Sequence, residues 1–210
     1  MFTNRMEAGH LLARKLEEKQ INFDLVLGVP NGGVVVAKII ASYFNCPLDV
    51  VMTKKIASPN WEEFAIGAVA PDGEILVHDR IQKTANVDKA TVDKLAQKIK
   101  EDIAIRLKRF RGQRPPLVLT GKNVLLVDDG IATGFTLKAA VRFLKRQTSG
   151  KIIVAVPVSS KNAYHNLREE VNELIALEVP ENFYAVSQFY MDFTAIEDSE
   201  VIEILKKHSN

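Results

Sequence analysis

The sequence contains little that would indicate a disulfide, a cysteine-based metal site or a membrane segment. Among its 210 residues there is one cysteine, Cys46. A single thiol excludes an internal disulfide and a zinc site built from cysteines, and we interpret Cys46 as a small core residue. No stretch approaches the roughly 18 consecutive apolar residues of a membrane span, and the first residues lack the apolar core of a signal peptide. We therefore expect a soluble, cytoplasmic protein.

An excess of charge of either sign is also missing. The chain has 28 basic and 26 acidic residues, which leaves a formal net charge of +2. No overall field therefore favours nucleic acid or a membrane surface as a partner. Internal repeats and low-complexity tracts are absent as well. A hydrophobic content of 47% at this length supports one well-cored domain over residues 1–210.

Short apolar runs alternate with helical patterns along most of the chain. The runs predict strands near 24–28, 48–53, 123–127, 151–156 and 173–177. The residues between them, and 4–19 before the first run, have apolar side chains at helical spacing. Parallel strands need such crossover connections, so the alternation predicts an α/β fold with a parallel sheet covered by helices on both faces.

The segment 123–136 carries the strongest functional pattern. A predicted buried strand ends in two acids, Asp128 and Asp129, and a loop of small residues leads into an amphipathic helix. Loop amides at a helix N-terminus bind phosphate. Carboxylates accept hydrogen bonds from vicinal hydroxyls, or bind Mg²⁺ directly or through water. The pattern predicts a site for a phosphorylated sugar.

Two other predicted strands end in residues that suit the same site. The strand 24–28 runs into a Gly-rich loop at 31–33, for which a tight turn with positive φ and a phosphate-binding loop both remain open. The segment 47–55 is predicted as one strand that ends in Lys54 and Lys55. Ligands bind at this end of parallel strands, although a solvated strand end fits the same pattern.

Two segments outside the predicted core are candidates for closing the site. A hairpin across 71–73 and a charged helix over 88–110 form a long excursion of the kind that often supplies a lid. The basic run 106–111 suits a nucleic-acid patch or a helix end that complements the dipole. His78 is interpreted as a strand-end residue rather than a catalyst. Five aromatic residues in the tail 179–193 suit stacking on a flat ligand or packing at a sheet edge.

The segment 124–136 resembles the 13-residue signature of the type I phosphoribosyltransferases: four apolar residues, two acids, then a small-residue loop with Thr-Gly. The resemblance extends over most of the chain and is strongest to bacterial and archaeal members whose acceptor base is not settled. It implies the type I fold, a central, mostly parallel sheet flanked by helices, with a flexible loop or hairpin insertion and a small C-terminal hood. The implied parts of the single domain 1–210 are a core at about 20–55 and 118–178, a lid and helical insertion at about 56–117, and a hood at about 179–210.

The resemblance implies a glycosyltransferase of the pentosyltransferase type. Such an enzyme uses phosphoribosyl pyrophosphate and Mg²⁺ to transfer the 5-phosphoribosyl group to a ring nitrogen of a nucleobase-like acceptor, and it releases pyrophosphate. This reaction belongs to nucleotide and nucleoside metabolism. The alternative is a non-catalytic regulatory protein that senses phosphoribosyl pyrophosphate, although no nucleic-acid-binding appendage is visible. A synthase of the sugar pyrophosphate is disfavoured by the absence of duplicated halves, and a homodimer stays open.

The resemblance also implies roles for individual residues. Catalytic contacts fall to Asp128, Asp129, Lys54 and Lys55. Binding of the 5′-phosphate falls to Gly130, Ile131, Ala132, Thr133, Gly134, Phe135 and Thr136. Binding of pyrophosphate is assigned to Asn31, Gly32 and Gly33. In the family, this loop often contains a non-proline cis peptide. The base hood comprises Phe183, Tyr184 and Asp192, and the metal is assigned to Asp128 and Asp129, through ribose hydroxyls or water, and to Asp192.

Three departures from the family pattern bear on these roles. Purine-type members usually have an acid where Ala132 stands in this sequence. They also place a lysine on the following strand, whereas Lys161 lies further along the chain here. Many members carry a basic residue at the position of Asn31. The resemblance thus implies the sugar donor and leaves the acceptor open.

Overall fold

The computed structural model describes residues 1–59, 65–77 and 87–208. The helices are α1 (Arg5–Glu18), α2 (Gly32–Tyr43), α3 (Lys89–Arg111), α4 (Phe135–Gln147), α5 (Lys161–Arg168) and α6 (Asp198–Lys207), with a 3₁₀ turn at Val186–Phe189. The strands are β1 (Leu25–Gly28), β2 (Leu48–Val50), β3 (Lys54–Ala57), β4 (Ala65–Val69), β5 (Ile75–Val77), β6 (Val124–Val127), β7 (Ile152–Val158) and β8 (Glu173–Glu178). The interpretation of His78 and part of the predicted lid lie outside the described residues.

Five of these strands form one parallel sheet in the order β2-β1-β6-β7-β8. Successive side chains of a strand point to opposite faces, so Val26 and Leu125 pack beneath α1, α2, α3 and α6. Leu27 and Leu126 pack on the other face, beneath α4 and α5. The predicted parallel sheet with helices on both faces is confirmed.

The chain leaves the centre of this sheet in two opposite directions. From β1 it passes through α2 to β2, and from the neighbouring β6 it passes through α4 to β7. Gly28 and Val127, the last residues of β1 and β6, lie in register. The loops that follow them therefore start side by side at the carboxyl edge of the sheet, the position where open α/β sheets bind ligands.

A second, antiparallel sheet contains β3, β4 and β5, which confirms the predicted hairpin. The prediction of one strand over 47–55 is wrong. The parallel strand β2 ends at Val50, and Lys54 begins β3, which pairs with β4 instead. Ala68 and Leu76 of the small sheet pack against α4. The small sheet therefore lies beside α4, the helix that follows the loop 130–136.

The charged helix predicted at 88–110 is α3, and two of its arginines connect elements of the fold. Arg106 forms an ion pair with Asp198 at the start of α6. Arg111 forms one with the buried Asp49 of β2, at 3.0 Å. These two side chains belong to internal ion pairs, which neither interpretation of the basic run had proposed. Within the three described ranges, no helix is both long and apolar enough to cross a membrane.

Candidate active site

Asp128 and Asp129 lie directly after β6, at the carboxyl edge of the parallel sheet. The backbone N–H of Asp129 donates to Asp128 Oδ1 at 2.9 Å and so orients the first carboxylate. The second carboxylate is held from a distant element, because Arg5 of α1 donates from Nε to Asp129 Oδ2 at 2.7 Å. The side chains of Arg5 and Asp129 are only 9% and 15% exposed. Their ion pair is therefore largely shielded from water.

Burial perturbs the protonation of both acids. The pKa of Asp128 lies well above its ordinary value, because burial and the neighbouring Asp129 carboxylate both disfavour its charge. Burial also raises the pKa of Asp129, and the hydrogen bond and charge of Arg5 oppose that effect. Neighbouring carboxyls whose pKa values are perturbed by burial and by each other are typical of functional sites.

The loop 130–136 ends as the N-terminus of α4. Gly134 has a φ of +77°, a conformation that favours glycine, and as the N-cap of the helix that begins at Phe135 it provides no side-chain cap. First-turn amides lack intrahelical acceptors, and the helix dipole adds positive potential, so such an end attracts an anion. Thr53 fixes the C-terminal end of the loop, because its Oγ1 donates to the carbonyl of Thr136 at 3.1 Å.

One residue of this loop is committed to the sheet. The N–H of Ile131 donates to the carbonyl of Val158 at 2.9 Å, and the Ile131 side chain is buried. This amide is already hydrogen-bonded within the fold, and the contact of Ile131 with phosphate stays a prediction. Ala132 and Thr133 are exposed, and Ser160 Oγ donates to the Ala132 carbonyl at 2.6 Å. The bridge to β7 thus anchors the loop and leaves its middle accessible.

The loop after β1 contains a cis peptide between Pro30 and Asn31, as the family resemblance implies. The Asn31 amide nitrogen donates to the carbonyl of Ile196 at 2.7 Å and to Asp198 Oδ1 at 3.2 Å. Arg106 in turn donates to Asn31 Oδ1 at 3.0 Å. The Asn31 side chain is therefore hydrogen-bonded to α3 and to the C-terminal segment, and these bonds fix the position of the loop.

Gly32 and Gly33 are the first residues of α2, not residues of a turn with positive φ. A Cβ on Gly32 would lie 1.9 Å from Asp129 Oδ2 and 2.6 Å from Arg5 Nε. A Cβ on Gly33 would lie 2.7 Å from the Asp128 Cα atom. Glycine is present here because the start of α2 rests directly on the acid pair. The two loops predicted from separate motifs are thus one packed unit.

Lys54 and Lys55 point in different directions, as neighbouring residues of a strand do. Lys54 Nζ forms an ion pair with Asp102 of α3 at 2.7 Å. Lys55 is exposed, and its charge acts to lower the pKa of Asp128. Lys55 is therefore the lysine of the two whose charge acts on Asp128, whereas Lys54 is paired with the helical insertion.

The predicted hood residues have unequal surroundings. The ring of Phe183 stacks on Phe189, with centroids 5.5 Å apart and planes at 24°. Tyr184 is 87% exposed. Asp192 is exposed, and its Oδ1 accepts hydrogen bonds from the N–H and the hydroxyl of Thr194. Packing accounts for Phe183, whereas the ring of Tyr184 is exposed to solvent.

Comparison with known proteins gives the family. Residues 3–194 match the model of the phosphoribosyl transferase domain. The chain belongs to this family. Two Mycobacterium tuberculosis relatives, from strains CDC 1551 / Oshkosh and ATCC 25618 / H37Rv and both named "putative phosphoribosyl transferase", are 35% identical over 207 residues. The match covers 99% of this chain and 47% of each relative, so the chain spans about half the length of the curated relatives it matches.

Solved structures agree with the family assignment. The crystal structure of TT1426 from Thermus thermophilus is 36% identical and has a TM-score of 0.83, over 99% of this chain and 98% of that one. A hypothetical protein from Neisseria gonorrhoeae with bound ppGpp is 16% identical, with a TM-score of 0.55 over 97% and 92% of the chains. This second likeness concerns the fold alone. The α/β architecture is that of the type I phosphoribosyltransferases.

The acid pair of this phosphoribosyltransferase-family chain suits only one kind of metal site. Among the residues that the structure describes, no three His, Cys, Asp or Glu side chains are grouped to hold a metal ion. Mg²⁺ commonly binds one or two carboxylates and completes its shell with water and substrate phosphates. One oxygen of Asp129 is taken by Arg5. The donors present therefore fit a Mg²⁺ ion shared with a phosphorylated substrate, and they do not form a closed protein cage.

Sequence reasoning missed Arg5, which contacts the acid pair although 124 positions separate it from Asp129. A signal was present, because Arg5 lies on the same helical stripe as Ala8, Leu12 and Leu16, which are buried. A charged residue on an apolar stripe indicates a buried ion pair, since unpaired burial of a charge is costly. The partner could not be read from the local pattern.

Proposed function

We propose that this chain is a phosphoribosyltransferase that uses phosphoribosyl pyrophosphate and Mg²⁺ to transfer the 5-phosphoribosyl group to a ring nitrogen of a nucleobase-like acceptor, with release of pyrophosphate. The observation that carries the proposal is the junction of two loops at the sheet's carboxyl edge. The acid pair and the N-terminus of α4 lie on one loop, and the start of α2 packs against the acid pair from the other. Such a junction offers separate places for hydroxyls and for two phosphate groups.

The sugar phosphate fits the loop that follows β6. The exposed Thr133, the Thr136 hydroxyl and the first-turn amides of α4 would bind the 5′-phosphate. Asp128 and Asp129 would accept hydrogen bonds from the ribose 2′- and 3′-hydroxyls and so fix the ring. Holding the anomeric carbon in one place supplies the orientation on which a displacement with little covalent chemistry depends.

The leaving group fits the other loop. In the displacement, a ring nitrogen of the acceptor forms the new bond to the anomeric carbon as the bond to pyrophosphate breaks, and negative charge grows on pyrophosphate. The backbone amides at 31–33 and the ammonium group of Lys55 would bind that charge. A Mg²⁺ ion held by the acid pair through ribose hydroxyls or water would add charge neutralisation at the pyrophosphate. Lys54, predicted for the same task, would have to leave Asp102 to contribute.

The remaining parts of the proposal concern closure and the acceptor. We propose the same division of 1–210 into a core at 20–55 and 118–178, a lid and helical insertion at 56–117 and a hood at 179–210. Closure of the lid would exclude water, which otherwise hydrolyses the activated sugar. The hood would stack on the acceptor through exposed aromatic surface. A cytoplasmic location, a role in nucleotide metabolism and a homodimer are further parts of the proposal.

A pyrophosphate-release screen tests the reaction. The protein is incubated with phosphoribosyl pyrophosphate, Mg²⁺ and a panel of purines, pyrimidines and other ring-nitrogen compounds. We expect turnover with at least one acceptor, and we expect the double variant Asp128→Asn, Asp129→Asn to bind the donor at least about 100-fold more weakly while keeping its fold. Circular dichroism checks the fold and calorimetry the affinity. Donor binding without turnover on any acceptor favours a sensor, and unchanged binding by the double variant contradicts the site.

A further inference from the structure

Arg5 contacts three separate parts of the proposed site. Its Nε donates to Asp129 Oδ2 at 2.7 Å, and one of its terminal nitrogens donates to the carbonyl of Thr194 at 2.9 Å. Its guanidinium carbon lies 3.8 Å from the centre of the Phe193 ring. The same Nε would be 2.6 Å from a Cβ on Gly32. One side chain of α1 therefore contacts the acid pair, the tail that follows the 3₁₀ turn and the start of α2.

The chemistry of these contacts suits an arginine and not a lysine. A planar guanidinium donates in several fixed directions and stacks its face on an aromatic ring, whereas an ammonium group is a compact, strongly hydrated charge. Arg5 uses both properties, since it donates to two acceptors on different segments and lies over Phe193. Tyr190 of the same tail completes the arrangement by donating its hydroxyl to the Asp129 carbonyl at 2.7 Å.

The Arg5–Asp129 ion pair also limits which carboxylate oxygens of the acid pair are available to a ligand. Asp129 Oδ2 is held by Arg5, and Asp128 Oδ1 accepts the Asp129 N–H. The positive charge of Arg5 offsets one of the two negative charges in a place where a substrate with several phosphate groups must approach. Without it, two adjacent carboxylates would repel each other and the donor.

Resting on the proposed function, we infer that Arg5 is a positioning residue for the sugar donor. It acts through Asp129, by fixing the orientation of that carboxylate, and it joins the carboxylate to the C-terminal tail. The role differs from that of a purely structural ion pair. A structural pair contributes stability alone, whereas Arg5 sets the geometry of a group that binds the ribose.

The test compares Arg5→Gln with two arginine controls. Arg14 lies on α1 and is exposed. Arg111 forms a comparably shielded ion pair with Asp49, with the two side chains 19% and 5% exposed, on the edge strand β2, which β1 separates from β6 and the acid pair. Arg14→Gln controls for the loss of a positive charge on α1, and Arg111→Gln controls for the loss of a buried ion pair. All variants are measured by calorimetry with phosphoribosyl pyrophosphate and Mg²⁺, and by urea unfolding.

We expect Arg5→Gln to weaken donor binding by about 10- to 100-fold, the range seen when a partner that orients a ligating group is removed. Arg5→Lys should keep part of the affinity because the charge remains. Both controls should bind within about twofold of the parent protein, even though Arg111→Gln unfolds at lower urea, because neither contacts the acid pair. Added to Asp129→Asn, the Arg5→Gln change should cost little more, since both changes remove the same interaction.

The outcomes separate the two claims. If the parent protein binds no phosphoribosyl pyrophosphate, the proposed function fails, and the positioning role fails with it. If the parent binds and Arg5→Gln binds equally well, only the positioning role is overturned. An Arg5→Gln loss that simply adds to that of Asp129→Asn overturns the claim that Arg5 acts through Asp129. A loss of affinity in Arg111→Gln equal to that in Arg5→Gln assigns both arginines a structural role alone.

Discussion

The substitution Gly32→Ala adds one methyl group at the point where α2 meets the acid pair. The new Cβ would lie 1.9 Å from Asp129 Oδ2, whereas ordinary contacts begin near 3.4 Å. The carboxylate must therefore move by about 1.5 Å, the difference between these distances, or the start of α2 must shift away. The first movement breaks the 2.7 Å contact with Arg5, and the second disrupts the packing of α2 on the acid pair. The change is small in volume but falls on a shielded ion pair.

The size of the effect follows from two opposing contributions. Separating a buried ion pair costs about 3 kcal/mol, at the lower end of the usual range because Asp129 keeps some exposure. Alanine in place of glycine at a helical position stabilises by at most about 1 kcal/mol, and the φ of Gly32 lies outside the left-handed region, so alanine meets no backbone strain. We expect a net loss of about 2 kcal/mol in the free energy of unfolding, or roughly 6 °C in Tm for a chain of this length.

The assay pairs this variant with Gly9→Ala, a helical glycine in α1. A Cβ on Gly9 would lie 2.9 Å from the Cβ of Ile39 in α2, so this control also crowds a helix contact but leaves the acid pair alone. Urea unfolding gives the stabilities, and calorimetry gives the affinity for phosphoribosyl pyrophosphate. We expect both variants to lose stability and only Gly32→Ala to lose at least about tenfold in affinity. If Gly32→Ala is as stable as the parent, the close packing of Gly32 on the Arg5–Asp129 pair is refuted.

Two further predictions concern single contacts. Tyr190→Phe removes the hydroxyl that donates to the Asp129 carbonyl, and we expect a loss of about 1–2 kcal/mol in urea unfolding, because the carbonyl loses its partner; a loss below about 0.3 kcal/mol argues against that bond. Glu170 has its pKa lowered to about 2 by hydrogen bonds from Lys138 and Lys145. A depressed folded pKa stabilises the fold above the ordinary value of 4.5, and that contribution is lost as the pH falls towards 2. Glu170→Gln should therefore be less stable than the parent by about 1 kcal/mol at pH 6, with the gap closing near pH 2, and a gap independent of pH contradicts this assignment.

The features predicted correctly from the sequence are those encoded within one element. Asn4 is of a residue type that favours a helix cap, and it caps α1 by accepting from the N–H groups of Met6 and Glu7. Apolar residues at helical spacing in the charged helix pack on the core, with Val92 and Ile103 buried. Each of these depends on side chains within a few positions of one another. The segment 123–136 was readable for the same reason, since strand, acids, loop and helix follow directly in the chain.

The features that were missed depend on contacts between elements far apart in the chain. Gly32 and Gly33 indicate a turn when taken alone, because glycine usually weakens a helix. They are glycines within α2 because a side chain would meet the Asp129 carboxylate at Gly32 and the backbone of Asp128 at Gly33. Asn31 likewise stands where many family members have a basic residue, so the sequence alone suggests that a positive charge is missing. Its side chain is instead hydrogen-bonded to Arg106 and to the carbonyl of Ile196. No local pattern contains the partner in either case.

For the proposed transferase, two contacts in the structure bear on the choice of acceptor. At the position where purine-type members usually have an acid, Ala132 has no carboxylate, and Ser160 already donates to its carbonyl. Lys161, the nearest lysine to the position that reads a purine oxygen, forms an ion pair with Glu181 at the start of the tail. Both polar contacts of the purine pattern are therefore replaced by contacts within the protein. The exposed ring of Tyr184 remains, and stacking does not distinguish one flat base from another. We therefore expect the choice of acceptor to depend on the shape of the closed hood rather than on the signature loop.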